Sequence, residues 1–264
     1  MPSLSERDLS EVGSYGRYGE DPIIEADGLQ SLSLWPGLAQ LKSLKLSGNN
    51  VNREGLRALL RSKHAVNLKK LAIRGNSLKG QEIQEFEAAH SGLKFEELDL
   101  GENLLRDVGP AYLAISNCLR ELKVLNIDRC EIHVAGATSL AKAPFIHSLR
   151  QLNVSDNGFG PDGLLALLAK RPQELHTLTI ANNDLGDEGA NYLANFPDTD
   201  PLTNVNLSQN GLTEAGASEL GRTKYLRNLL VLNVTHNSIG KSATQALARS
   251  PLGKRLLSLD RTVA

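Results

Sequence analysis

The chain has 264 residues, of which 41% are hydrophobic and 22% charged, and its formal net charge at pH 7 is −1. Lysine and arginine are spread along the chain, which argues against a protein that neutralises several phosphates of a nucleic acid. No run of about 18 apolar residues occurs, and no basic segment followed by an apolar one opens the chain. Two cysteines form no disulfide framework. These features predict a cytoplasmic protein that contacts neither membrane nor nucleic acid.

Residues 1–40 precede a sequence that repeats at a regular interval from Leu41 onward. Within this segment Leu29 and Leu32 lie one period before the corresponding leucines of the first complete repeat, so we predict an N-terminal cap that contains half a repeat. The ends of such an array must cover an open apolar face. We therefore expect Trp35, the only tryptophan, to belong to the core of the cap.

From Leu41 onward the pattern L-x-x-L-x-L-x-x-N recurs eight times. Successive ninth positions keep one constant spacing, except that Asn157 and Asn183 are closer by a single residue, and this regularity indicates one structural unit per repeat. An inward-facing carboxamide at this position, which we call the ladder position, can satisfy buried backbone donors and acceptors alike. Cysteine replaces asparagine once, and we interpret that thiol as structural. The ladder positions are Asn49, Asn76, Asn103, Cys130, Asn157, Asn183, Asn210 and Asn237.

Each repeat has two halves with different periods. Apolar and polar residues alternate in LKSLKLSGN, as in a strand with one buried face. The following VNREGLRALLRSK places Val51, Leu56 and Leu59 on one face of a helix. Glycine recurs six residues after the ladder position, but Glu82 and Ala243 break this rule. For the helix of Glu82, GQEIQEFEAAH, we predict packing different from that of its neighbours.

The array ends in a partial ninth strand, which Leu256 and Leu259 begin. We therefore predict that residues 41–264 form one repeat domain. The charged residues Lys254 and Arg255 are suited to blunting an uncovered strand edge. The competing interpretations are end-to-end self-association through this strand and a chain cut from a longer protein.

The pattern L-x-x-L-x-L-x-x-N/C, joined to a helix in a repeat of about 27 residues, resembles the ribonuclease-inhibitor class of leucine-rich repeats. The resemblance covers residues 41 to 262. It implies an α/β leucine-rich-repeat solenoid, a curved horseshoe with a parallel concave sheet and convex helices, of about eight repeats plus partial end caps. The scaffold serves enzyme inhibition, GTPase activation, actin capping and ligand sensing in that class, so the resemblance specifies the fold and leaves the function open.

We expect no catalytic residue, metal site or cofactor. The histidines fall at helix ends and turns that do not converge. Cys118, Cys130 and His133 resemble a metal-binding triad in sequence only. A strand of about 6 residues at ~3.3 Å each separates the two cysteines by roughly 20 Å, too far for shared ligation or a disulfide.

The outward positions of the first four strands carry most of the charge on the predicted concave face. Basic residues gather on the first two strands and acidic residues on the next two, and we predict that a protein partner docks there, oriented by this polarity. The alternative is that neighbouring opposite charges pair with one another. No aromatic residue occupies these positions, which favours a weak or transient interface. The candidate partner-binding residues are Lys45, Lys70, Arg74, Glu97, Asp99, Glu102 and Asp128.

The sequence therefore predicts a non-enzymatic scaffold or recognition module that binds a protein partner. The alternatives are a regulator of an enzyme, such as a small-GTPase activator, and a bacterial effector or sensor fragment. The class that this sequence resembles includes an activator of the small GTPase Ran, which carries an acidic C-terminal tail. This chain ends in LLSLDRTVA, which departs from that pattern.

Overall fold

A computed structural model describes residues 26–261, in which short strands alternate with helices. The α-helices are α1 (Ala26–Leu34), α2 (Arg53–Arg61), α3 (Val108–Ile115), α4 (Val134–Leu140), α5 (Gly160–Leu168), α6 (Gly186–Asn195), α7 (Glu214–Arg222) and α8 (Lys241–Arg249). The strands are β1 (Ser43–Lys45), β2 (Lys70–Ala72), β3 (Glu97–Asp99), β4 (Val124–Asn126), β5 (Gln151–Asn153), β6 (Thr177–Thr179), β7 (Asn204–Asn206), β8 (Val231–Asn233) and β9 (Ser258–Asp260). Four 3₁₀ helices complete the described part: Pro36–Gln40, Gly80–Phe86, Asn117–Leu119 and Pro144–His147.

The chain divides into two compact units. The described part of the first comprises residues 26–130 and 143–145, and its strands β1 to β4 pair in parallel, one period apart. The second comprises residues 131–142 and 146–261, and its strands β5 to β9 pair in the same way. The ninth strand predicted from the C-terminal leucines is present as β9. The predicted boundary at residue 40 stays a prediction.

The core of each repeat lies between the inner side of the strand and one face of the helix. The central residue of each strand from β1 to β8 points inward, as Leu44 does in β1, and is buried, whereas Leu259 in β9 is half-buried. From α2 the residues Leu56 and Leu59 are fully buried, and Val51 joins them, which confirms the predicted helical face. Burying one such leucine contributes about 1.5–3 kcal/mol, and the period repeats that contribution along the chain.

The ladder asparagines join successive repeats through backbone hydrogen bonds. The amide of Asn103 donates to the carbonyls of Ile73 at 3.0 Å and Leu100 at 2.8 Å. Its oxygen accepts from the N–H groups of Asn76 at 3.1 Å and Leu78 at 3.0 Å. Asn210 makes the equivalent contacts in the second unit. The predicted double role of the carboxamide is confirmed.

Cys130 performs part of the same role with a thiol. It is fully buried, and its Sγ lies 3.4 Å from the carbonyl oxygen of Leu100 and 3.3 Å from that of Asp128, so the two carbonyls share its single S–H donor. Burial raises the pKa of Cys130 to about 12, so the group stays a protonated donor at neutral pH. Cys118 is likewise a free, buried thiol whose pKa burial raises to about 12. The structural interpretation of Cys130 is confirmed, since an inert buried thiol has these properties.

The segment that follows the second strand departs from the α-helices of the other repeats, as predicted. It forms the 3₁₀ helix Gly80–Phe86, and Glu82 caps its start by accepting from the N–H of Lys79 at 2.8 Å. The backbone runs close to the next repeat here. A Cβ on Gly80 would lie 2.1 Å from the carbonyl oxygen of Leu105, so only glycine fits.

A buried carboxylate lies where this 3₁₀ helix meets α2. The side chain of Glu85 is 4% exposed and accepts from Arg57 Nε at 3.0 Å and Nη2 at 2.9 Å. Arg53 Nε also donates to it at 2.9 Å, and Arg61 lies at 3.4 Å. Positions four apart on a helix share one face, which is why three arginines of α2 reach one carboxylate. Hydrogen bonds from Arg57 and Arg53, against the cost of burial, lower the pKa of Glu85 to about 2.

The prediction for Trp35 is wrong. Its side chain is 44% exposed, and the indole lies over Gly37, where an added Cβ would be 2.1 Å from the ring. Leu29 and Leu38 are fully buried in its stead. Leu29 fills the space between α1 and α2, where a Cβ added to Gly55 would lie 3.1 Å from it. The part of the predicted cap before residue 26 lies outside the described residues.

We expect that Asn210→Ala lowers the free energy of unfolding by about 3 kcal/mol or more, because it leaves buried backbone donors and acceptors without partners. Equilibrium urea denaturation followed by circular dichroism measures this loss. The control is Asn191→Ala at an exposed position of α6, which should change stability by less than about 0.5 kcal/mol. Equal midpoints for the two variants would contradict the ladder role.

We expect a pH-dependent loss of stability from Glu85→Gln. The pKa of Glu85 is about 2 in the folded chain, below its ordinary 4.5, so ionisation stabilises the fold above pH 4.5 and the gain is lost as the pH falls towards 2. At pH 7 the variant should lose about 1.5–3 kcal/mol, and the difference from the wild type should shrink below pH 4.5. Urea denaturation at several pH values tests this, with Glu87→Gln, exposed on the same segment, as the control. A difference that does not change with pH would show that the charge of Glu85 is not what stabilises the fold.

Candidate functional site

The outward side chains of β1 to β4 form a surface that we call the strand face. Successive residues of a strand point to opposite sides, so the first and third residues of each strand face outward while the central leucine is buried. The first residues align as one row and the third residues as another. The first row is Ser43, Lys70, Glu97 and Val124, and the second is Lys45, Ala72, Asp99 and Asn126.

A groove of ≈540 Å³ runs across the strand face. Its floor includes Ala72, the shortest side chain of the two rows, together with parts of Leu71 and Leu98. Val124 adds apolar surface at one side. Charged side chains surround this floor, which gives the groove an apolar bottom and a polar rim.

Four of the seven predicted partner-binding residues line the groove: Lys45, Lys70, Glu97 and Asp99. Lys70 Nζ lies 2.9 Å from Glu97 Oε1. Both side chains are about half exposed, so this pair contributes only about 0.2–1 kcal/mol to stability.

The other three predicted residues form an ion-pair network beside the groove. Arg74 donates to both oxygens of Asp128, at 2.8 Å to Oδ2, and to Glu102 at 2.9 Å. Arg129 also donates to Glu102 at 2.9 Å. The hydrogen bond to Asp128 is the main reason that the pKa of Arg74 is raised. Here the alternative that opposite charges pair with one another is what the structure shows.

Gly101 makes that network possible. A Cβ at this position would lie 2.2 Å from Arg74 Nη1 and 2.4 Å from Asp128 Oδ1. The arginine therefore passes over the glycine to reach a carboxylate two strands away. Sequence reasoning assigned Gly101 no role, and the signal that could have found it is a glycine just after β3, the strand between those that precede the oppositely charged Arg74 and Asp128.

Asp99 lies at the end of β3, between the groove and the network. Its side chain is 33% exposed, and Oδ1 accepts from the N–H of Gly101 at 3.0 Å. Arg74 Nη1 is 3.8 Å from the same oxygen. Burial raises the pKa of Asp99, although the Gly101 hydrogen bond and Arg74 act against that rise.

Among residues 26–261, no group of three or more histidine, cysteine, aspartate or glutamate side chains is arranged to hold a metal ion. Nor does that part of the chain contain a helix long and apolar enough to span a membrane.

Comparison with known proteins finds the same repeat. The leucine-rich-repeat family model matches four segments, residues 40–60, 146–168, 173–194 and 225–248. The ribonuclease inhibitor of Sus scrofa is 34% identical over 139 residues. That match covers 50% of this chain and 30% of the inhibitor, so it spans less than a third of the relative's length.

Solved structures share the architecture at low sequence identity. Internalin C2 from Listeria monocytogenes str. 4b F2365 superposes with a TM-score of 0.60 at 21% identity, over 90% of this chain and 92% of the internalin. TLR13, solved in complex with ssRNA13, gives a TM-score of 0.56 at 20% identity, over 87% of this chain and 30% of TLR13. These likenesses concern the fold.

Together these findings show that the chain has the leucine-rich-repeat fold. Its repeats are similar to those of the ribonuclease inhibitor, with a short parallel strand, a ladder asparagine or cysteine, and a helix in each period. Proteins built from such repeats generally mediate interactions between proteins, because stacked repeats present an extended binding surface.

Proposed function

We propose that the chain is a non-enzymatic interaction module that binds a protein partner in the groove of the strand face. The observation that carries this proposal is the groove itself, ≈540 Å³ in volume, with a floor at Ala72 and a rim of charged side chains. An apolar centre within a polar rim is the usual anatomy of a protein interface.

The charges of the rim favour a protein over a nucleic acid. Two basic residues, Lys45 and Lys70, line the groove together with two acidic residues, Glu97 and Asp99. A surface that binds nucleic acid needs an excess of positive charge to replace counterions around phosphates. A rim of mixed sign instead suits a partner that carries both signs itself.

The groove also indicates the strength of the interaction. No tryptophan, tyrosine or phenylalanine lines it, and such residues supply most binding energy in tight interfaces. The proposal is therefore a transient or regulated contact. A cytoplasmic location and end-to-end association through β9 stay predictions from the sequence.

Filling the groove tests the proposal. Ala72→Trp places a large side chain on its floor, and Thr179→Trp is the matched control at the equivalent outward position of β6 in the second unit. Both positions are half-buried, so we expect both variants to fold, which thermal unfolding checks.

Each variant and the wild-type chain then serve as bait in a native lysate, with quantitative mass spectrometry as the readout. We expect the wild type and Thr179→Trp to capture the same partner in equal amounts. The amount recovered by Ala72→Trp should be at least tenfold lower. Equal recovery by Ala72→Trp and Thr179→Trp, or no protein enriched over empty resin, would overturn the proposal.

A further inference from the structure

The carboxylates on and beside the groove differ in how closely a lysine or arginine pairs with them. Glu97 is paired with Lys70 at 2.9 Å. Asp128 and Glu102 share the guanidinium groups of Arg74 and Arg129. Asp99 has no such close cation, because the nearest, Arg74 Nη1, is 3.8 Å away and donates to Asp128.

The hydrogen bonds of Asp99 leave one oxygen available. Oδ1 accepts from the N–H of Gly101, two residues further along. Within the described part of the chain, Oδ2 accepts no hydrogen bond. Three carboxylates in this region, those of Asp99, Glu102 and Asp128, face two guanidinium groups, those of Arg74 and Arg129, and Lys45 lies two strands from Asp99 in the same row. Asp99 is therefore the carboxylate of this group without a close cation.

The space in front of Asp99 fits a long side chain with an apolar stem. Ala72 is its neighbour in the same row on β2, and its methyl group leaves that side open. On β4 the neighbour of Asp99 in this row is Asn126, and Val124, which lies opposite Glu97 in the other row, adds apolar surface to the groove. Lysine and arginine bury their methylene stems against such surfaces while their charged ends remain solvated or paired.

The size of the groove points to a segment of chain rather than one side chain. Four strands about 4.8 Å apart span about 14 Å, which is the length of about four residues of an extended peptide. Ala72 and Asp99 lie at the middle two strands of the four.

We propose that the groove binds an extended segment of a protein partner and that a lysine or arginine of this segment pairs with Asp99 over the floor at Ala72 and Val124. This inference rests on the proposed function and adds the chemistry of the partner. In this arrangement Lys70 and Glu97 stay paired with each other at one side of the bound segment.

The raised pKa of Asp99 adds a pH dependence. The groups that face this carboxylate are Arg74, Asp128 and Glu102, and Lys45 lies in the same row beyond Ala72. Protonation of Asp99 removes the charge that attracts the partner's cation. Because burial raises the pKa, this loss occurs at a higher pH than for an ordinary aspartate.

A displayed library of random twelve-residue peptides tests the inference while the natural partner is still unidentified. The full chain is the target, and peptides that also bind Ala72→Trp are removed. One recovered peptide is then labelled, and its affinity is measured by fluorescence anisotropy for the wild type, Asp99→Asn and Glu97→Gln. The carboxamide introduced by Asp99→Asn can still accept from the Gly101 N–H, so the turn is kept. Glu97→Gln controls for the loss of a groove carboxylate that already has a partner.

We expect recovered peptides to carry lysine or arginine at one fixed position. Asp99→Asn should weaken binding at least tenfold and Glu97→Gln less than threefold. Replacing the fixed lysine or arginine of the peptide by norleucine should weaken its binding to the wild type tenfold and change its binding to Asp99→Asn little. Binding to the wild type should also fall with decreasing pH, and Asp99→Asn should lack that dependence.

The contrary outcomes separate this inference from the proposed function. Peptides that need the open groove but lack a basic residue, or bind Asp99→Asn as well as the wild type, would overturn the role of Asp99 and leave the proposed function standing. If no peptide is recovered, or every recovered peptide also binds Ala72→Trp, both proposals fail.

Discussion

The structure depends on the need to satisfy backbone groups that are buried between repeats. A ladder asparagine such as Asn210 meets that need by donating to carbonyls of its own and the preceding repeat and by accepting from backbone N–H groups of the preceding repeat. The contact fixes the register of neighbouring strands, because a slip of one residue would turn the buried leucines outward. The nearly constant spacing of the ladder positions in the sequence reflects that register.

The same constraint creates the surface on which the proposed function relies. A strand of three residues with an inward central side chain leaves its first and third side chains outside the core. Those positions have no part in the ladder, so the chain can place charge, alanine or valine there without weakening the repeat. In the first unit these positions form the groove, and one of them is Asp99, a carboxylate whose nearest cation, Arg74 Nη1, is 3.8 Å away.

The fold was largely predictable because every structural unit needs the same residue types at the same spacing, so the architecture is visible in the sequence as a repeat. The ladder asparagines, the buried helix face at Leu56 and Leu59 and the unusual segment around Glu82 all follow from residue type at a fixed interval. The role of Cys130 followed as well, since a thiol can donate to the same carbonyls as the amide it replaces.

The site was predictable only as a set of residues. Sequence reasoning divided the charges by strand, into basic and acidic groups. In the structure the length of Arg74 and the missing side chain of Gly101 bring opposite charges together across strands. The groove floor at Ala72 and the exposure of Trp35 depend in the same way on how side chains fill space, which a linear pattern does not record.

Site-specific photo-crosslinking tests most directly whether the partner binds the strand face. A benzoylphenylalanine replaces Val124 in the groove, and in a second variant it replaces Tyr112 on α3, a half-buried position of the same unit. After irradiation in a native lysate, the account predicts a covalent adduct with one protein from position 124 and none with that protein from position 112. An adduct formed from position 112 alone would contradict it and move the binding surface to the helices.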